Sequence, residues 1–488
     1  MGETRDQVRL RRWLSEEGFR YAFIGGLLGA AALVGLVYSV NWKFGVALTG
    51  FVTVLAVDLY SLQLGILPVF LAIPMDRLGK LGPESVITWA KLLIGVLIIA
   101  WSAHVLLRRE RRPLAVLLRS PLFLLAILTL AFSFISVINA RDYDIFLGQN
   151  VRRMSNVALF VLIVSIVDSK VLVRRLLVVF LVAYFFVGLT VLYEIASGDS
   201  ILATVWGEKD VGLEYTLQSG EFRVGGPGGD PDFLAISVIF PSLVGLSVLL
   251  APASGLAKLL LLPLLLEMMI ALLATGSRGG LGAFLIGSSL IWFFSRTRYR
   301  YAIAAVGGLI LVVTAIALAA AGAASTQRFT GETGGKSLVY RLGWTEMAFL
   351  MIEDHPFVGI GTGNFPRRYN RYSRTVPNVP RSPYWTHNSF LQTWAENGVF
   401  AFITYIGLFV TGAGAMLRVI WSTTDPELYR LAVLMLSAVA AYFFFAGTSN
   451  VLENENYWIV FSLVTVVSAL AREQAPTREG DTSAPAAA

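Results

Sequence analysis

Four cationic or titratable residues stand out because glycines and long apolar runs surround them. His387 lies in Thr386-His387-Asn388-Ser389-Phe390-Leu391-Gln392, between a polar loop and an apolar helix. A neutral imidazole with a reference pKa of about 6.5 can accept a proton at neutral pH. Arg278 lies in Thr275-Gly276-Ser277-Arg278-Gly279-Gly280, squeezed between two apolar runs. Arg223 precedes the turn Val224-Gly225-Gly226-Pro227-Gly228-Gly229-Asp230-Pro231-Asp232, and Arg341 lies in Tyr340-Arg341-Leu342-Gly343-Trp344. Guanidinium groups are permanently charged and fork onto phosphate oxygens. One base beside several such clamps suits a transfer in which an anionic phosphate group departs. Each residue also has a plainer reading: a structural histidine, a solvated loop arginine, or an arginine snorkelling to a membrane interface.

Other polar residues fill out the pattern. Asn388, Gln392 and Glu396 are spaced by four and form one polar stripe on a helix. Asn364 ends the run Gly359-Ile360-Gly361-Thr362-Gly363-Asn364-Phe365. His355 precedes Pro356 at an expected helix end, and His104 reads as structural. No second histidine or carboxylate stands at ligand spacing from His387, so the pattern contains no metal site. Glu267 and Lys91 fall inside apolar runs and Glu194 at the end of one; ionisable groups there are functional candidates by default. Trp344, Tyr369, Tyr372, Tyr384 and Trp385 accompany the loop cations. That mixture fits an anionic ligand bearing sugars, or equally lipid headgroups.

Long hydrophobic helices must position these residues. Of 488 residues, 56% are hydrophobic and only 15% charged, against about a quarter charged in soluble chains. The class is an all-α polytopic membrane protein with about 12–14 spans. Expected spans cover 21–40, 44–58, 61–74, 84–107, 119–139, 152–167, 171–195, 232–251, 257–275, 279–295, 300–322, 396–418, 429–447 and 456–471. Cations concentrate in Met1–Arg20, Arg108–Arg119, Lys170–Arg175 and Arg296–Arg300. The positive-inside bias therefore places both termini in the cytoplasm and the loops 196–231 and 323–387 outside. Residues 1–20 read as a retained basic tail, 21–471 as one integral domain and 472–488 as a disordered tail. The net charge of +7 is explained by membrane flanks and not by nucleic acid. Without cysteine, disulfides and thiolate metal sites are excluded. The segment from Arg341 to Glu353 is expected to be a helix lying on the membrane surface.

Taken together, Thr275-Gly276-Ser277-Arg278-Gly279, the block from Arg341 through Trp344, His355-Pro356 and Gly359-Ile360-Gly361 to Asn364-Phe365, and His387-Asn388-Ser389-Phe390-Leu391-Gln392 with Glu396-Asn397-Gly398 resemble the bacterial O-antigen ligase and polymerase superfamily. Arg223 to Asp232 is similar to that family's stretch before a span, where the last residue is often asparagine; here it is Asp232. The resemblance covers about residues 220–410. It implies a metal-independent, cofactor-free glycosyltransferase of the bacterial inner membrane. The donor would be a polyprenyl-diphosphate-linked glycan. The acceptor would be the lipid A core in the ligase branch, or a second lipid-linked glycan in the polymerase branch. On this reading Arg223 and Arg278 stabilise the departing diphosphate, His387 deprotonates the acceptor hydroxyl, and transfer inverts the anomeric centre. Arg341, Asn388, Gln392, Glu396 and Asn364 would bind substrate. A transporter or lipid flippase remains the competing class, against which stand the absence of an evident repeat and the position of the polar residues outside the midplane.

Overall fold

The computed structural model describes residues 42–80, 88–108, 112–206, 223–295 save 253, 333–379 save 378, 384–474 save 451, and five positions between 301 and 316. The amino-terminal tail, the expected span over 21–40, most of that over 300–322, and the chain beyond Gln474 lie outside these. Among the described residues the regular elements are helices: α1 (Trp42–Tyr60), α2 (Leu62–Ala72), α3 (Trp89–Arg108), α4 (Arg112–Leu118), α5 (Pro121–Ile135), α6 (Tyr143–Ile166), α7 (Lys170–Ser197), α8 (Ile201–Trp206), α9 (Pro231–Leu250), α10 (Gly255–Ala274), α11 (Arg278–Phe294), α12 (Thr333–Asp354), α13 (Phe365–Tyr372), α14 (Ser389–Ser422), α15 (Pro426–Ala446) and α16 (Glu455–Gln474). Seven of the described helices are long and apolar enough to cross a membrane, and three shorter apolar helices join them.

Polar punctuation explains where these helices begin. Ser120, Asp142, Ser169, Asp230, Ser254, Ser277, Asn388 and Asp425 each stand at an N-cap with a side-chain oxygen accepting a first-turn amide. An apolar helix end has little water to satisfy those amides, so a cap residue fixes the boundary. Burial sorts the helices. The apolar windows of α15 and α9 are 72% and 67% buried, against 28–50% for the other five, so α9 and α15 form the centre. α7 turns Val178, Val182, Phe185 and Leu189 outward, as a lipid-facing side does.

Two expectations change. α6 starts at Tyr143, not near residue 152, because the Asp142 cap extends it through polar residues; Arg152 and Arg153 are therefore helical. α16 continues to Gln474, so residues 472–474 are helix and not tail. α12 packs one apolar face inward and leaves Val339, Leu342 and Phe349 exposed on another. Trp344, Met347, Ala348, Met351 and Ile352 pack with Ile360, Phe365, Tyr369 and Ala395 in a small core of their own.

Contacts between the helix ends define two poles. One gathers the turns 136–142, 194–201, 223–231, 274–278 and 446–455 with the loop 355–389. At the other, Lys170 pairs with Asp425, Arg174 Nε lies 3.1 Å from Glu427 Oε1, and Tyr429 donates to the Phe294 carbonyl at 3.1 Å.

Candidate active site

The first pole holds His387. Its backbone has φ 51°, the left-handed region, and it is the one non-glycine residue so placed among the described residues. Such strain persists only where neighbours fix it. Thr386 Oγ1 accepts from Asn388 N (3.2 Å) and donates to Asn388 O (2.9 Å), while Ser389 Oγ and N both donate to Ser449 O (2.7 and 3.2 Å). The ring packs with Tyr384 (centroids 5.1 Å, 25°) and Trp344 (5.1 Å, 34°), and those two stack on each other at 5.2 Å. Trp344 Nε1 donates to Tyr369 OH at 3.2 Å, which fixes the indole in turn.

A carboxylate connects the imidazole to the first arginine. His387 Nδ1 stands 3.9 Å from Asp232 Oδ2. Asp232 Oδ1 accepts from Arg223 Nη2 at 3.2 Å. Arg223 Nε donates to the Thr275 carbonyl at 2.7 Å, and the Arg223 side chain is 2% exposed. The charge of Arg341 acts on the same carboxylate. Arg223, Arg278, Arg341 and His387 thus converge on one pole. Arg223 is buried among protein partners, whereas Arg278 begins α11 and is exposed.

Glycine geometry allows this closeness. Glu194 Oε2 accepts from Gly225 N (3.1 Å) and Gly226 N (2.9 Å), and its Oε1 accepts from Ile201 N (2.9 Å). That carboxylate pins the turn that presents Arg223. A Cβ on Gly225 would lie 2.6 Å from the Gly229 carbonyl carbon. Asp230, the α9 cap, is half-buried; desolvation and the like charge of Asp232 push its carboxyl up, opposed by the Phe233 amide, Arg223 and Arg77.

α14 is broken at Gly398 (φ 81°, ψ 175°). The break frees the Ala395 and Glu396 carbonyls, which accept from Ile360 N (2.9 Å) and Gly361 N (3.0 Å), while Val399 N donates to Pro356 O (2.9 Å). The loop after His355 therefore seats in the gap and restores the missing bonds.

Residues 263–406 match the family model described as O-antigen ligase. Over that segment the chain is similar to the O-antigen ligase family. No curated protein matches it. The apolar helices mark an integral membrane protein, and the matched segment supports the bacterial inner membrane. The O-antigen ligase segment carries Arg278, Arg341 and His387. Arg223 and Asp232 lie before it, so α9 and its turn complete the constellation from outside the matched residues.

Around this ligase-type core, the expected substrate-binding residues divide. Asn388 caps α14 with Oδ1, accepting from Phe390 N (3.0 Å) and Leu391 N (3.1 Å). Glu396 is fully buried and accepts from Gly363 N (2.9 Å) and Phe365 N (3.1 Å). Asn364 Oδ1 accepts from Arg141 N (3.0 Å) and Asp142 N (2.8 Å). These three polar groups are held by the backbone of their own protein. Gln392 is 8% exposed, and its Oε1 has no hydrogen-bond partner among the described residues. Glu267 packs its carboxyl onto Gly188 of α7.

Two groups are not revealed by sequence spacing. Asp232, where the similar family often has asparagine, joins Arg223 to His387. Arg153, 4% exposed, reaches Glu453 Oε1 (3.0 Å) and Ser133 Oγ (2.6 Å). Its helical placement depended on the Asp142 cap.

Proposed function

We propose that the protein transfers a glycan from a polyprenyl-diphosphate-linked donor to an acceptor hydroxyl at the periplasmic pole, with both termini in the cytoplasm. The Arg223–Asp232–His387 chain is the observation that carries this reading. Asp232, anchored by buried Arg223, orients the imidazole and stabilises its charge once it has taken the acceptor proton. Arg278 and Arg341 supply positive charge for the departing diphosphate, so that no metal ion is needed for that charge. Arg223 thereby serves as a positioning residue as much as a clamp. The new bond joins the acceptor oxygen to the anomeric carbon, the carbon–phosphate oxygen bond breaks with its electrons on the diphosphate, and a single displacement inverts the centre.

Within the superfamily the acceptor is the lipid A core for a ligase or a second lipid-linked glycan for a polymerase. The test is reconstitution with a polyprenyl-diphosphate oligosaccharide and each acceptor, read by mass spectrometry. His387→Ala and Arg278→Ala are expected to abolish product while the protein remains in the membrane, and wild-type transfer is expected to survive chelator. Full transfer by either variant removes that residue from the mechanism. Counterflow of labelled substrate with no new glycosidic bond would replace the reading by transport.

A further inference from the structure

The opposite pole contains a cavity that the transfer reaction does not use. It has a volume of about 490 Å³ and lies between the α4–α5 corner, the end of α14 and the end of α16. Arg119, Arg418 and Arg472 line it, one from each of these places, with Glu473 as the acid among the lining residues. None of the three arginine side chains forms an ion pair or hydrogen bond among the described residues. Ser120, Thr465 and Ser468 bring hydroxyls, and Val116, Pro121 and Leu122 an apolar wall. Ser120 is the cap of α5, so that helix points its positive end at the same space.

Position identifies the surroundings. Arg418 is twenty residues after the break at Gly398, about 30 Å along the helix at 1.5 Å per residue, which matches the ~30 Å hydrocarbon layer. Trp421, one turn beyond Arg418, and Leu118, beside Arg119, are 76% and 78% exposed, as apolar groups at a membrane interface are. Cations spread along loops would serve orientation alone. Three guanidiniums from separate helices around one half-apolar cavity make a receptor for phosphate carrying hydrocarbon.

We propose that this cavity binds the phosphate headgroup of an anionic glycerophospholipid in the leaflet opposite the candidate active site, with Arg119, Arg418 and Arg472 gripping the phosphate and the apolar wall receiving the start of an acyl chain. The proposal is independent of the transfer reaction.

The test is native mass spectrometry of the full chain in detergent, titrated with phosphatidylglycerol, cardiolipin, phosphatidylcholine or inorganic phosphate. The anionic lipids are expected to give adducts that persist at energies removing phosphatidylcholine, with phosphate a weak competitor. The triple variant Arg119→Gln, Arg418→Gln, Arg472→Gln is expected to lose about ten-fold in affinity. Gly414→Phe fills the cavity without altering charge: Gly414 lines it and an added Cβ meets nothing within 4 Å. This second variant is also expected to lose the adducts. Unchanged adducts in either variant overturn the assignment. Equal occupancy by inorganic phosphate overturns the lipid in favour of a free anion, and equal retention of phosphatidylcholine overturns the recognition of charge.

Discussion

Asp232 is the residue on which the candidate chemistry turns, because it faces both a buried guanidinium and the imidazole. Asp232→Asn keeps the shape but removes the charge that would stabilise a protonated His387. Steady-state kinetics should show kcat falling about 10²-fold or more, the range in which acid–base assistance operates, with KM changed far less. Equal kcat for Asn and Asp would confine the residue to holding Arg223. The stack of Trp344 and Tyr384 on His387 makes a smaller contribution: Tyr384→Ala removes aromatic pairing of about 0.5–1.5 kcal/mol and should slow transfer without abolishing it. His387, Arg223 and Arg278 were legible in the chain because polar groups among apolar runs are conspicuous. The Asp232 link and the aromatic stack were not, since they join residues far apart in sequence by packing that no spacing encodes.

Among the elements, the halves of α14 on either side of Gly398 are the most exacting. A side chain at Gly398 requires a positive φ and meets the Phe357 carbonyl. Gly398→Ala should therefore destabilise by about 1–3 kcal/mol, seen as a lower thermal midpoint. Glu396→Ala strands two buried amides, at about 1–3 kcal/mol for each; Glu396→Gln, which keeps an acceptor, should recover much of that. Asp425 offers a pH test at the other pole. It caps α15 and pairs with Lys170, and the Lys170 hydrogen bond holds its carboxyl down at about 2, below its usual 3.8. A depressed carboxyl stabilises above its unfolded pKa, so this contribution is complete above about pH 4 and fades as pH falls toward 2. Thermal melts at pH 5 and pH 3 should converge on those of Asp425→Asn as acid is added. Helix positions were largely readable from apolar runs and caps; the break inside α14 was not, because Glu396-Asn397-Gly398 can equally continue a helix.

For the whole molecule, the division into two poles separates functions that one sequence pattern had mixed. Arg119, from a segment that sets orientation, surrounds a cavity with Arg418 and Arg472, while Arg223, expected as a ligand clamp, is buried among protein partners. The O-antigen ligase segment spans residues 263–406, but Arg223 and Asp232 arrive from α9 and its preceding turn. The matched segment expressed alone should therefore insert without catalysing transfer. Detectable transfer by that fragment would place the whole reaction within it.

Arg223 holds the 274–278 turn by a main-chain oxygen, that of Thr275. Every amino acid supplies that oxygen. Alanine scanning across this corner will thus understate its importance, reporting tolerance at a place where the fastening itself was never removed. Only an edit to the peptide unit, or a bend that swings the carbonyl aside, would expose how much depends on it.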